Sequence, residues 1–250
     1  MIQATSIDGV ITELDKIIEW SKLHQSRIGY FASLYRNMTL AVQQGITNKI
    51  FDNGERMEQL DVIFANRYIQ AWDSYTNKQK CTSAWCKVFD LCDTNNLVVL
   101  QHLILGINTH INLDLAIAAA ETCPGEKIYD LQNDFEKINV VIAAQSQSMQ
   151  NTLCKIWFPL KLLANISNHR QDAVINFSIN QARKASWASA VALALVQGEV
   201  RDNYIGIMDN TVVKIADRVI KPPFFTSLLF KLILRMENKN VSKIIDTLKE

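Results

Sequence analysis

The sequence predicts an all-α fold, a multi-helix antiparallel bundle-like domain around one buried helix from about Leu97 to Thr122. Three observations carry this. Apolar residues recur at three-or-four-residue spacing along nearly the whole chain, while two-residue alternation is nearly absent. Glycine and proline, the residues that break helices, number only eight and four in 250. The connections between periodic stretches are brief, which makes consecutive helices antiparallel neighbours. A chain of this length can bury roughly 70–75% of its unfolded surface, enough for one core. We expect a single helical domain over residues 1–250, with residues 199–250 a C-terminal helical extension packed on it.

The first helix runs from about Ile7 to Leu23, with Ser6 as its cap. A second starts near Ser26. Its apolar positions Ile28, Phe31, Leu34, Met38 and Ala41 keep the helical step, and Gly45 is expected to end it. A turn at Asn53-Gly54 opens a third helix that continues to about Tyr75. Thr82 or Ser83 caps a short helix in "TSAWCKVFDLCD". The central helix stops at Pro124-Gly125. Another runs from about Lys127 to Met149. The stretch "NTLCKIWFPLKLLANISNHR" is expected to be less regular, because Pro159 removes a backbone donor. A long helix follows from about Gln171 to Gln197, ending before Gly198. Helices near Asp202 to Ile220 and Phe224 to Met236 precede an amphipathic tail from Asn240 to Leu248.

The totals exclude some functions. The formal net charge is +1, so there is no broad basic excess to hold a nucleic-acid backbone, and no nucleic-acid partner is expected. The N-terminal stretch lacks the basic start and apolar run of a secretory signal. No stretch reaches the roughly 18 uncharged apolar residues of a membrane span. The nearest approach, "PPFFTSLLFKLILR", is short and carries Lys231. It is expected to pack on the core, with a surface contact or a homodimer through this apolar helix as the sharper reading. The five cysteines are odd in number and show no C-x-x-C spacing, which reads as free thiols in a reducing, cytoplasmic setting.

The central helix carries the functional signal. In "LGINTHINLDLAIAAA" two asparagines, a histidine and an aspartate interrupt an otherwise apolar run. His102, Gly106, His110 and Asp114 follow at four-residue steps and form one slanting stripe. Asn108 and Asn112 lie on roughly the opposite side. A helix apolar nearly all round is buried, and a buried polar group without a partner costs about 1–3 kcal/mol. His110 and Asp114 can meet at this spacing, and the carboxylate would fix the imidazole tautomer and raise its basicity. The same spacing can hold one divalent metal. It also suits a purely structural pair that fastens helices together.

Other helices supply candidate partners. Asp61 falls within the apolar stripe Met57, Phe64, Ala65, Tyr68 and Trp72, where a carboxylate needs a His, an Arg or a metal. Asp134 and Asn139 flank the stripe Leu131, Phe135, Ile138 and Ile142. Convergence of Asp61, Asp134, His110 and Asp114 would make a carboxylate-and-imidazole cluster between helices. Arg183 and Trp187, four apart, are read as a structural cation–ring stack. Tyr30, Tyr35, Arg27 and Arg36 are read as helix packing with exposed polar tips. Phosphate-loop, nucleophile-elbow and H-E-x-x-H patterns are missing.

These residues resemble an uncharacterised family of bacterial all-helical proteins whose centre reads G-(M/I)-N-x-H-I-N-x-D-L. The stretches "SRIGYFASLYRNMT", "RMEQLDVIFANRYIQA", "NDFEKIN" and "ARKASW" agree with it. The resemblance covers about Asp15 to Gly198. It implies that Asn108, His110, Asn112 and Asp114 are motif positions, with Asp61, Asn66, Arg67, Asp134 and Asn139 in secondary motifs. It implies no reaction.

The expectation drawn from these observations is an enzyme acting on a small, partly apolar metabolite by His/Asp general acid–base chemistry. His110 would move the proton, Asp114 orient it, and Asn108 or Asn112 hold a substrate oxygen. His102, Asp61, Asp134, Asn139 and Arg67 would line the substrate pocket. A divalent metal on His110, Asp114 and Asp61 or Asp134 is a variant. The alternative is a non-catalytic binding or interaction module. Its buried His/Asn/Asp network would be structural, and its apolar patches near Trp157 to Leu163 and Phe224 to Leu234 would hold a partner or lipid.

Overall fold

The computed structural model describes residues 3–142 and 170–250, the side chains of 170–178, Phe225 and Thr226 excepted. The fold is all-α, as the periodicity predicts, and no strand occurs among the described residues. The helices are α1 (Ile7–Leu23), α2 (Ile28–Thr47), α3 (Gly54–Thr76), α4 (Ser83–Cys92), α5 (Val99–Thr109) and α6 (Leu115–Thr122). After these come α7 (residues 132–142), α8 (Arg170–Leu195), α9 (Gly198–Ile220), α10 (Phe224–Met236) and α11 (Val241–Lys249). The expected irregular stretch around Pro159 and the apolar patch at 157–163 lie outside the described residues, as do residues 143–149 of the helix expected from Lys127.

The capping residues read from the sequence take those roles. Ser6 Oγ accepts from Gly9 N–H at 3.1 Å, Asn53 Oδ1 from Arg56 N–H at 3.0 Å, and Thr82 Oγ1 from Trp85 N–H at 3.4 Å. Each satisfies one of the orphan donors at a helix start. Several boundaries differ. Gly45 does not end α2 but lies inside it, where the Phe51 ring packs against it; a Cβ there would stand 3.0 Å from Phe51 Cε2. The chain turns instead at Lys49, with φ 54°. Residues Gly125–Leu131 form a 3-10 helix where the α-helix was expected to begin. α9 starts at Gly198, whose φ of 58° makes the turn from α8, four residues earlier than expected.

Leu97 to Thr122 is not one regular helix. Between α5 and α6 the segment His110–Asp114 is π-helical, and Leu115 N–H donates to His110 C=O, five residues back. Such single-turn insertions are uncommon and concentrate at functional sites. Among the described residues Val99–Thr122, and not the stretch at 222–235, is long and apolar enough to cross a membrane, but most of it is buried as the core helix of the fold. One set of core residues, including Leu14, Ile18, Tyr30 and Ile245, gathers α1, α2 and α11. Another, including Ile117, Ile128 and Leu193, gathers α6, the 3-10 turn and α8. Phe64 packs against both. The close approach of α2 to α5 depends on Gly106, where a Cβ would stand 2.5 Å from Phe31 Cγ.

The cysteine expectation is corrected. Cys81 and Cys86 form a disulfide, with Cα atoms 5.9 Å apart. Cys81 precedes α4 and Cys86 sits in its first turn, so the short loop folds back within disulfide reach. Cys92 and Cys123 are free and buried, and Cys154 lies outside the described residues. The thiol-based argument for a reducing compartment therefore no longer holds.

Candidate functional site

A cavity of about 130 Å³ opens beside the π turn. Phe31, Tyr35 and Thr39 reach it from α2, Asp61 and Phe64 from α3, and His110 and Ile111 from the π turn. Phe135 and Ile138 of α7 and Arg183 of α8 close another side. The wall is almost entirely apolar. Among the described residues, Asp61 Oδ2 and His110 Nε2 are buried on this cavity without a hydrogen-bond partner, and the buried Tyr35 and Thr39 hydroxyls have none but each other. Buried polar groups are nearly always paired, so two such orphans beside a pair of hydroxyls on one cavity mark a place where a ligand or ordered water completes the bonding.

His110 is held from all sides. Its Nδ1 lies 3.0 Å from Asp114 Oδ2. The same oxygen accepts from Trp85 Nε1 at 2.8 Å, and Asp114 Oδ1 accepts from Arg67 Nε at 3.0 Å. A carboxylate so placed accepts the Nδ1 proton, which leaves the lone pair on Nε2. The Phe64 ring stacks on the imidazole at 3.6 Å between centroids, and Tyr35 meets it edge-on at 4.4 Å. Burial pushes the His110 pKa below its ordinary value, against the opposing pull of Asp114, so the ring is neutral near pH 7. Burial, helped by the Glu58 charge, raises the Asp61 carboxyl to about 7. Burial and the charges of Asp61 and Asp114 push the Tyr35 phenol well above its usual value, against the smaller opposing pull of its hydrogen bond with Thr39, so it stays protonated. The cavity thus faces one base lone pair, two hydroxyls and a carboxyl that is about half protonated near pH 7.

The structure brings some predicted residues together and separates others. Asp61 and His110 line the cavity, and Asp114 and Arg67 stand behind His110. Asp134 is elsewhere. It is fully buried at the start of α3, where it accepts the backbone N–H groups of Asp52 (2.6 Å) and Asn53 (3.0 Å) and pairs with Arg56 at 2.8 Å. The expected four-residue cluster is therefore not formed. Asn108 and Asn112 do not line the cavity. They bond each other at 3.0 Å, and Asn108 Nδ2 donates to Val212 C=O of α9 at 3.2 Å, which makes them a helix-fastening pair. His102 is also away from the cavity, edge-on to Tyr30 and 3.9 Å from Cys92 Sγ, and burial lowers its pKa to about 3. Asn139 acts at one remove, accepting from Arg183 Nε at 2.8 Å.

Sequence reasoning missed Tyr35, Thr39 and Arg183. Tyr35 is buried with its hydroxyl inside, not an exposed tip. Arg183 lies over the Phe135 ring at 4.4 Å, and Trp187 packs against that same ring, so the expected Arg183–Trp187 stack is replaced by one shared through α7. Among the described residues no group of three or more His, Cys, Asp or Glu is placed to hold a metal ion. The Asp114 oxygens are committed to Trp85, Arg67 and His110.

Fold and site together define an all-α protein with a buried His–Asp pair beside an apolar cavity. The chain belongs to a family of unknown function, DUF5995, whose model matches residues 7–222. No curated protein and no solved structure matches it.

Proposed function

We propose that the chain is an enzyme that moves a proton on a small, mostly apolar carbonyl compound bound in this cavity. The observation that carries the reading is the meeting of one bare imidazole nitrogen with two hydroxyls and a carboxyl of raised pKa on a single apolar cavity. His110 Nε2 is the general base. The imidazolium formed on proton abstraction is balanced by Asp114, which Arg67 and Trp85 hold in place. Tyr35, Thr39 and the protonated form of Asp61 donate to the oxygen on which charge develops. Such donors act strongly where water is excluded. The apolar wall takes the body of the substrate.

The test is proton–deuterium exchange at the carbon next to the carbonyl in a panel of apolar ketones and aldehydes, followed by NMR in deuterated water. Exchange that falls by about 10²–10⁴ in His110→Gln, with binding kept, supports the reading. Binding without exchange makes the cavity a ligand-carrying site and the polar groups its anchors. Neither binding nor exchange overturns it.

A further inference from the structure

We infer that α10 is an interfacial helix that docks the protein on an anionic lipid surface. The helix is tied to the body at its inner side and at its end. Ile233 is buried against Val98, with Leu100, Phe230 and Leu234 around them. Glu237, just after the helix, accepts Val99 N–H at 3.1 Å at the first turn of α5. The outer side is apolar and open: Leu228, Leu232 and Met236 are 60%, 56% and 61% exposed. Around the helix Lys231, Arg235, Leu228, Leu232 and Met236 follow one another within about 140°. Two cations therefore border an apolar sector on one side, the arrangement of a helix lying in a headgroup layer with its basic side chains turned toward the phosphates.

Charge decides between a bilayer and a second copy of the chain. Lys221, Lys231, Arg235, Lys239 and Lys243 crowd this segment against one acid, Glu237, in a chain whose net charge is only +1. All five basic residues are exposed, and none forms an ion pair among the described residues. Two copies meeting face to face would bring these like charges together. An anionic lipid surface attracts each of them. A membrane span is excluded by length, since α10 has 13 residues where about 20 are needed. The family match ends at residue 222, immediately before this helix.

The experiment is co-sedimentation of the full chain with vesicles of phosphatidylcholine alone and of an equal mixture with phosphatidylserine, at low and high salt. We expect binding to the anionic vesicles only, weakened by salt. The double variant Leu228→Glu/Leu232→Glu should lose it by more than about tenfold at an unchanged melting temperature, because both side chains are already exposed. Absence of binding to anionic vesicles overturns the inference. Binding that the double variant retains also overturns it. Light scattering of both proteins without lipid identifies a second copy as the occupant if the wild type is a dimer and the variant a monomer.

Discussion

Phe64 and His110 lie face to face, with ring centroids 3.6 Å apart and planes 10° from parallel. The stack fixes the plane of the imidazole from one side while Asp114 fixes its rotation through Nδ1. With both constraints in place, Nε2 has one direction open to it. Phe64 is only half-buried because its other side faces the cavity. Phe64→Ala should therefore cost less than a full core truncation, about 2 kcal/mol in chemical denaturation. Its larger effect should be on turnover, because a freed imidazole samples orientations that no longer face the substrate. A variant that loses stability but keeps full proton exchange would show that Asp114 alone sets the ring.

His110 and Asp114 should separate chemistry from stability. His110→Gln removes the base but leaves an amide that can still donate to Asp114. It should unfold within about 1 kcal/mol of the wild type and lose nearly all activity. Asp114→Ala leaves Arg67, Trp85 Nε1 and His110 Nδ1 without their shared acceptor. Removing one partner from such a buried set costs about 3–5 kcal/mol. Equal destabilisation by the two variants, read from urea unfolding, would assign the pair a structural role instead.

The sequence made this pair legible because four-residue spacing on an apolar helix leaves few arrangements for a histidine and an aspartate. The π turn carries no such signal, since a five-residue hydrogen bond changes no residue type. Tyr35 and Thr39 were hidden for a different reason. They sit on α2 among polar neighbours, and a tyrosine beside Arg36 reads the same facing in or out. Arg183 was assigned to Trp187 on local spacing, but Phe135 of α7 comes between them in space. Asp134 looked like a site residue because a buried carboxylate needs a partner, and it has one in the α3 N-terminus and Arg56. The all-α class and most helices were legible from period alone.

Gly106 should be intolerant of any side chain. In a helix interior Gly→Ala ordinarily stabilises by about 0.5–1 kcal/mol. Here the added methyl would stand 2.5 Å from Phe31 Cγ and Cδ2. Phe31 is a buried ring of the α2–α5 contact and itself lines the cavity. Overpacking of this kind costs about 1–3 kcal/mol, so the clash wins. Gly106→Ala should lower the denaturation midpoint and weaken ligand binding together. A stabilised variant would mean that Phe31 has room to shift.

Asp61 should give stability a distinctive dependence on pH. Its folded pKa is about 7 against an ordinary 3.8, so the folded state holds a proton that the unfolded state has released. The stabilisation is fully present below about pH 4 and is lost as pH rises through about 7. Glu237, raised to about 7 by burial, acts in the same direction. His102 and His110 act oppositely. Their pKa values are lowered by burial, so their contribution is lost as pH falls below the unfolded value of 6.5. The opposing slopes partly cancel in the wild type, and its profile alone is a poor test. The difference between wild type and Asp61→Asn isolates the one group. Measured by urea unfolding at a series of pH values, that difference should move in favour of the variant by up to about 1.4 kcal/mol per pH unit between about pH 4 and 7. A difference that stays flat across this window would place the ordinary carboxylate pKa on Asp61 and remove it as a proton donor in the cavity.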